Sequence, residues 1–412
     1  SRPLNQRFTG PCYRWRAGKK DVMHLVFATA IVPDGRPTTG YEIANAAILG
    51  ALRRAGVRVT VLGFAWPGSQ PTEPEQTVLL GHVDVRTDNA SLRQKVEWTA
   101  RAVAAGTTFS SIKLRIVSVD DVRAALRSIG PVDGYVLNSV QLAAAFEGAF
   151  DERPSIFVAH NVEYRSAEEN AAAASSSIQR FLFAREARLL KAIETRLCRK
   201  ARFVFTLAEE DRAALGLADD ARSAVLPLVT RETAVPPSPR KITCDAALIG
   251  TWSWQPNRIG LDWFLQKVVP HLRADFRLRI AGRIAGSIKC DHPGVEFVGR
   301  VPDATEFIRS AAVVPLISTA GSGVQLKTIE TFELGLPSVA TRLSLRGIGE
   351  PPANCVIADD PVAFAKALEQ AASGAPNDLD GRSFFERQLA ALDRNILRGL
   401  AALGTEPREA AA

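Results

Sequence analysis

The chain has 412 residues, 46% of them apolar, and carries a net charge of +7, which is enough for two or three packed domains. No apolar run approaches the 18 or so residues of a membrane span and no charged-apolar-small leader pattern opens the sequence, so a cytoplasmic globular protein is expected. The five cysteines, Cys12, Cys198, Cys244, Cys290 and Cys355, are scattered and never spaced C-x-x-C, which argues against a zinc site or a disulfide framework.

Short apolar, β-branched runs alternate with helical patterns from end to end, the signature of parallel α/β units. In the first half VMHLVFATA, VRVTVLGF, IKLRIVSV, VDGYVLN, PSIFVAH and ARFVFTLA read as buried strands. GYEIANAAILGALRRAG, between the first two, reads as a helix stopped by Gly56. At residues 231–243, RETAVPPSPRKIT is too rich in proline and polar residues for a helix or a central strand and reads as a linker. A second series follows, DAALIGT, FRLRIAG, VEFVG, AAVVPLI, PSVAT and NCVIADD, separated by helices such as QPNRIGLDWFLQKVVPHL. The expected organisation is an open parallel sheet over 1–230, a linker over 231–244 and a second open parallel sheet over 245–376. A terminal helical segment over 377–412 is free to pack back on either sheet.

The basic excess lies in the first half and concentrates in SSSIQRFLFAREARLLKAIETRLCRKARF. There Arg180, Arg185, Arg188, Lys191, Arg196, Arg199, Lys200 and Arg202 face only Glu186 and Glu194, while Ile178, Phe181, Leu182, Leu189, Ile193 and Leu197 recur with helical spacing. This basic amphipathic helix is either the solvated face of a core helix or a peripheral dock for an anionic membrane surface or a phosphate-bearing acceptor. It has no interleaved exposed aromatics and no nucleic-acid motif, so nucleic acid is not an expected partner.

Open parallel sheets bind ligands beyond the carboxyl ends of their strands, which directs attention to the loops there. After AAVVPLIS comes GSGVQLKTIETFELGLPSVAT. Gly321, Lys327 and Thr328 fill three of the four fixed places of a phosphate-binding P-loop, but Leu326 stands where glycine must let the backbone wrap the phosphates. The same leucine defeats a dinucleotide G-x-G-x-x-G. What remains is a Gly321-Ser322-Gly323 turn whose amides open a helix capped by Ser322, a ready anion site. Lys327 is placed to reach a diphosphate, and its i+3 neighbour Glu330 to bind a pair of vicinal hydroxyls. The alternative is a surface ion pair. His160 ends the strand PSIFVAH and is either a satisfied core histidine or placed at the cleft to bond a sugar hydroxyl or the reacting oxygen. Trp252, Trp254 and Asn257 are sugar or base contacts, or the tryptophans fill core. No metal is expected: the only D-x-D, Asp378-Leu379-Asp380, lies far from the strand ends, and the histidines lack ligand spacing.

GTWSWQPNRIGLDWF, LRIAGR, VEFVGRVPDATEF, VVPLI and GSGVQLKTIETFELGLPSVAT, in this order over 245–345, resemble the retaining glycosyltransferases of family 4 (glycosyl transferases group 1). PDGRPTTGYEIANAAILGALRRAGVRVTVLG and FVAHNVEY match more loosely. The resemblance implies the GT-B fold, α/β with two Rossmann-like domains facing across a cleft; the terminal helix over 377–412 is a candidate to cross back to the first. Glu330 matches the second glutamate of the family's E-x(7)-E signature, which binds the donor ribose, and Ser322 stands where the first is expected. Lys327 and Arg283 resemble cations facing the donor diphosphate, and Gly299, Arg300 and Val301 the segment bordering the base. Thr39 and Gly40 fall in the first loop, beside the phosphates, and Gly250 and Asn257 in the first loop of the second domain. The implied activity is transfer of a sugar from a nucleotide-sugar donor to a glycan or lipid-linked acceptor, with retention and with no cofactor. A sugar-nucleotide epimerase of the same fold and a non-catalytic nucleotide-sugar-binding subunit are the alternatives.

Overall fold

A computed structural model of the protein describes residues 22–35, 39–86, 90–282, 288 and 290–404. The first sheet contains β1 (His24–Ile31), β2 (Arg58–Ala65), β3 (Thr77–His82), β4 (Gly134–Asn138), β5 (Ser155–Ala159), β6 (Phe203–Thr206) and β7 (Ser223–Val225), ordered β3-β2-β1-β4-β5-β6-β7. The second contains β8 (Cys244–Ile249), β9 (Leu278–Ala281), β10 (Val295–Gly299), β11 (Ala311–Leu316), β12 (Ser338–Ala340) and β13 (Cys355–Ile357), ordered β10-β9-β8-β11-β12-β13. All strand pairs among the described residues are parallel. Every residue of β1, β4, β5 and β6 is buried, as strands covered by helices on both faces must be.

The first sheet is flanked by α1 (Gly40–Arg54), α2 (Leu92–Ala104), α3 (Phe109–Leu114), α4 (Val119–Ile129), α5 (Val140–Ala145), α6 (Glu163–Ala173), α7 (Ser177–Lys200) and α8 (Glu209–Ala214). The second has α9 (Gln255–Trp263), α10 (Ala304–Arg309), α11 (Leu326–Glu333) and α12 (Pro361–Ser373), and α13 (Arg382–Leu403) ends the described chain. Residues 226–243 form neither helix nor strand. Helix α13 packs on α1 and β6 of the first sheet and on α11 of the second. Its contacts include Asn395 Nδ2 donating to Val225 O at 2.7 Å and Phe384 edge-on to Phe332 with centroids 5.3 Å apart.

One expected strand is wrong. IKLRIVSV forms the end of α3 and a turn: Thr108 caps the helix by accepting from Ser111 N at 3.1 Å, and Ile112, Lys113 and Leu114 are all buried. A short apolar run buried on every side reads alike as strand or helix. Two strands lie outside the expected set, β3, a sheet edge, and the three-residue β7, the other edge.

Candidate functional site

In each sheet the strand order reverses beside its first strand, between β1 and β4 and between β8 and β11, which opens a crevice beyond the carboxyl ends. On the first-sheet side, three polar residues lie at or next to the carboxyl ends of three apolar strands. Thr29 of β1 lies in register with Asn138 of β4, and His160 follows β5. Asn138 Nδ2 donates to Asn45 Oδ1 at 2.6 Å, and Asn45 Nδ2 donates to Thr29 Oγ1 at 3.2 Å. Asn138 is thereby oriented with Oδ1 as acceptor, so His160 Nε2, 2.8 Å away, carries the proton and Nδ1 is left as an acceptor. Tyr41 closes the network through Thr29 Oγ1 at 2.7 Å and lies 5.0 Å from the His160 ring. Burial pushes His160 down to about 4, because an imidazolium here loses its hydration without gaining a carboxylate. It is neutral near pH 7, suited to accept a hydroxyl hydrogen bond and unsuited to protonate a leaving group.

On the facing side, Gly321 and Gly323 have φ of +97° and +77°, values favourable only to glycine. The turn they form is inserted between the domains. Ser322 Oγ lies 3.0 Å from Ser166 Oγ of α6. A Cβ on Gly323 would overlap Asn161 Oδ1 and come within 3.4 Å of His160 O. Arg346 donates to Gly321 O at 3.3 Å and pairs with the buried Asp211 of α8, crossing the same boundary. Burial raises the Asp211 carboxyl against the opposing pull of Arg346. Gly40, the first residue of α1, has space for a Cβ only 3.2 Å from Leu326 Cδ1, the first residue of α11. Two helix N-termini therefore converge at the cleft with their positive ends.

The helix after the turn differs from expectation. It starts at Leu326 with Gln325 at its cap and no side-chain capping bond, so Ser322 caps nothing and the turn precedes the helix rather than forming its first residues. At its other end, Gly335 at φ +68°, with Gly335 N donating to Phe332 O and Leu336 N to Thr331 O, closes α11 in a Schellman motif. Lys327 Nζ lies 3.0 Å from Glu330 Oε2, with the lysine side chain 48% exposed and the glutamate 15%. Glu330 Oε1 accepts from Thr305 Oγ1 at 3.1 Å and lies 3.7 Å from Arg231. Arg231 also holds the buried Glu333 at 3.1 Å, and Glu333 accepts from Thr230 N at 2.8 Å. Glu333 is pushed up by burial, opposed by these donors.

Beyond β8, β9 and β10 the backbone is bare. Gly282 N donates to Gly299 O at 2.7 Å, and a Cβ on Gly282 would overlap Gly250 O. A Cβ on Gly250 would come within 2.9 Å of the Trp252 ring. Trp252 is core, with Nε1 donating to Ala281 O at 2.8 Å, whereas Trp254 is 49% exposed. Arg300 is exposed and Val301 half-buried past the end of β10. Asn257 Nδ2 donates to Thr251 O at 3.2 Å and closes the loop that opens α9. Thr39 is the cap of α1 in a reciprocal pair with Glu42. Arg283 lies outside the described residues. The structure thus gathers Gly40, His160, Gly321, Ser322, Gly323, Lys327 and Glu330 about one cleft. Sequence reasoning missed Asn45, Asn138, Asn161, Ser166, Arg231 and Thr305. The polar end of GYVLN was a signal for Asn138, since a polar residue closing an apolar strand is placed at the crevice.

The two facing parallel sheets have the GT-B fold, and solved structures share it over nearly the whole chain. TarM aligns with a TM-score of 0.58 at 10% identity, covering 93% of this chain and 99% of that one. Anabaena Alr3699/HepE, solved in complex with UDP, aligns at 0.52 and 15% identity, covering 92% and 100%. The OtsA apo structure aligns at 0.54 and 14% identity, covering 93% and 100%. Residues 245–373 match the family model described as glycosyl transferases group 1. None of the curated proteins compared with the chain matches it. The matched domain and the fold together support a GT-B glycosyltransferase.

Proposed function

We propose that the protein transfers a sugar from a nucleotide-diphosphate sugar to a glycan or lipid-linked acceptor, with retention and without a metal. The observation that carries this reading is the pairing of a half-exposed cation with a held carboxylate on α11, the helix that follows the turn packed against His160 and Asn161. As the bond from the anomeric carbon to the diphosphate breaks, its electron pair leaves with the phosphate oxygen. Lys327 and the amides at the starts of α1 and α11 face that growing charge. Glu330 keeps its bond from Thr305 and has lone pairs left for two ribose hydroxyls. His160 Nδ1 accepts from a hydroxyl of the sugar. Retention is implied by the family resemblance: the acceptor hydroxyl attacks the face the diphosphate leaves, and its proton passes to the departing oxygen, so no protein nucleophile is needed. UDP in the HepE complex supports a nucleotide donor for this chain.

The test is Lys327→Ala, with donor binding followed by thermal stabilisation and transfer followed with a panel of nucleotide sugars. We expect donor affinity to fall about tenfold or more and transfer to be lost, since a hydrogen bond to a charged group contributes about 1.5–3 kcal/mol. Unchanged transfer would sink the assignment. Ser322, in place of the first signature glutamate, favours one second reading, a nucleotide-sugar-binding subunit without turnover. Tight donor binding with no transfer to any acceptor would decide for it.

A further inference from the structure

We infer that the free end of the α6–α7 hairpin docks on an anionic phospholipid bilayer. If the glycosyltransferase reading holds, this presents a lipid-linked acceptor to the cleft.

Helix α7 has 24 residues, but its buried residues begin only at Ala187. Its first ten, Ser177–Glu186, include no buried residue and carry Ile178 at 74% exposure, Phe181 at 69% and Phe183 at 37%, so the basic run does present exposed aromatics where none was expected. Large apolar side chains clustered on one projecting tip mark an interaction surface. The exposed charges of α7 itself have one sign. Arg180 and Arg188 are exposed, whereas Glu186 is turned inward to accept from Phe109 N at 2.9 Å. Arg185 is also used internally, donating to Thr107 O at 3.1 Å and Ala102 O at 3.0 Å. Those two bonds fix the end of α2 beside the tip, and the next α2 residue, Val103, is 48% exposed. The exposed acids of α6, Glu168 and Glu169, stand about a turn back from its end at Ala173, at the depth of Phe181 and Leu182 on α7, and leave the last turn of α6 uncharged.

A phenylalanine and isoleucine tip flanked by arginines fits an anionic bilayer better than a protein face, because head-group attraction and shallow apolar insertion act together. Placement relative to the site agrees. Helix α6 begins at Glu163, three residues after His160, and its 11 residues span about 16 Å. The tip and the cleft are therefore the two ends of one short helix. Among the described residues no helix is long and apolar enough to cross a membrane, so contact is peripheral in this reading.

The experiment is co-sedimentation of the full chain with vesicles of phosphatidylcholine alone, or with about one third phosphatidylglycerol, without any nucleotide. We expect at least tenfold stronger binding to the anionic vesicles, weakening with salt. The double variant Ile178→Asp, Phe181→Asp should abolish it, and Arg180→Glu, Arg188→Glu should reduce it at least tenfold. Both should keep the wild-type unfolding midpoint and the wild-type stabilisation by UDP, measured without vesicles. Equal binding to neutral vesicles, no binding to either, or a dimer that the apolar variant dissociates while vesicle binding persists would each overturn the inference. Failure of UDP to bind would count against the donor site alone, because the vesicle measurement does not involve it.

Discussion

Replacing Gly323 with alanine asks whether the turn 321–323 sets how closely the two domains approach. At φ +77° an alanine costs roughly 1–2 kcal/mol in backbone strain. Its Cβ would also overlap Asn161 Oδ1. Either Asn161 leaves its present rotamer and its 3.4 Å bond to Glu163, or the domains separate at Ser166 and Ser322. Displacing the side chain adds about 1 kcal/mol. Gly106→Ala is the matched control, because Gly106 has φ +62° and nothing within 4 Å of an added Cβ. Both variants should lower the unfolding midpoint, but only Gly323→Ala should weaken binding of a nucleotide sugar, by about fivefold to tenfold for 1 kcal/mol or slightly more. Calorimetric titration with UDP-glucose alongside thermal unfolding reads both quantities. Equal affinities in the two variants would refute the idea that Gly323 governs closure.

Glu330→Gln should weaken nucleotide binding by about 10-fold to 100-fold, the worth of charge-assisted bonds to ribose, and should leave stability within about 1 kcal/mol because the amide oxygen still accepts from Thr305. Thermal stabilisation by UDP compared with inorganic diphosphate checks it, since only the ribose-bearing ligand should lose affinity through this contact. His160→Gln should make stability less dependent on acid. From pH 6.5 down to about 4 the unfolded histidine binds a proton that the folded one refuses, so the wild type loses stability relative to the variant as pH falls, by about 1.4 kcal/mol per unit near pH 5. Urea unfolding of both proteins between pH 5 and 7.5 measures the gap, and a gap that does not change with pH would contradict the neutral, buried histidine.

Most of the architecture was legible because parallel strands covered on both faces leave unbroken apolar runs, as HLVFATAI and FVFT do. The run IKLRIVSV misled because burial around a single helical turn erases the periodicity that separates the two states. The strand TVLLGH, half-buried at a sheet edge, has no such strong signature. In the site, residues close in sequence were readable, since Lys327 and Glu330 share a helix face by spacing alone. The network of Thr29, Asn45, Asn138 and His160 spans 132 positions and exists only once four elements pack together. Arg231 falls in a segment that looks like a plain linker, and its value lies in carboxylates a hundred residues away.

Lys327 and Glu330 are not equivalent members of their pair. An i,i+3 ion pair with one half-exposed partner contributes about 0.2–0.5 kcal/mol, less than the roughly 1.5–3 kcal/mol of a hydrogen bond to a charged group. A diphosphate bound as proposed would therefore redirect the lysine at almost no cost. Glu330 is held from two further sides by Thr305 and Arg231. Arg231 in turn grips Glu333 one turn along α11, so the direction of the Glu330 carboxylate is tied to the segment joining the two sheets. A mobile cation beside a fixed carboxylate suits a ligand whose diphosphate changes charge and position during bond breaking while its ribose stays in place. In the donor site proposed above, a change in domain angle that moves Arg231 would alter a ribose contact at Glu330 before it altered a phosphate contact at Lys327.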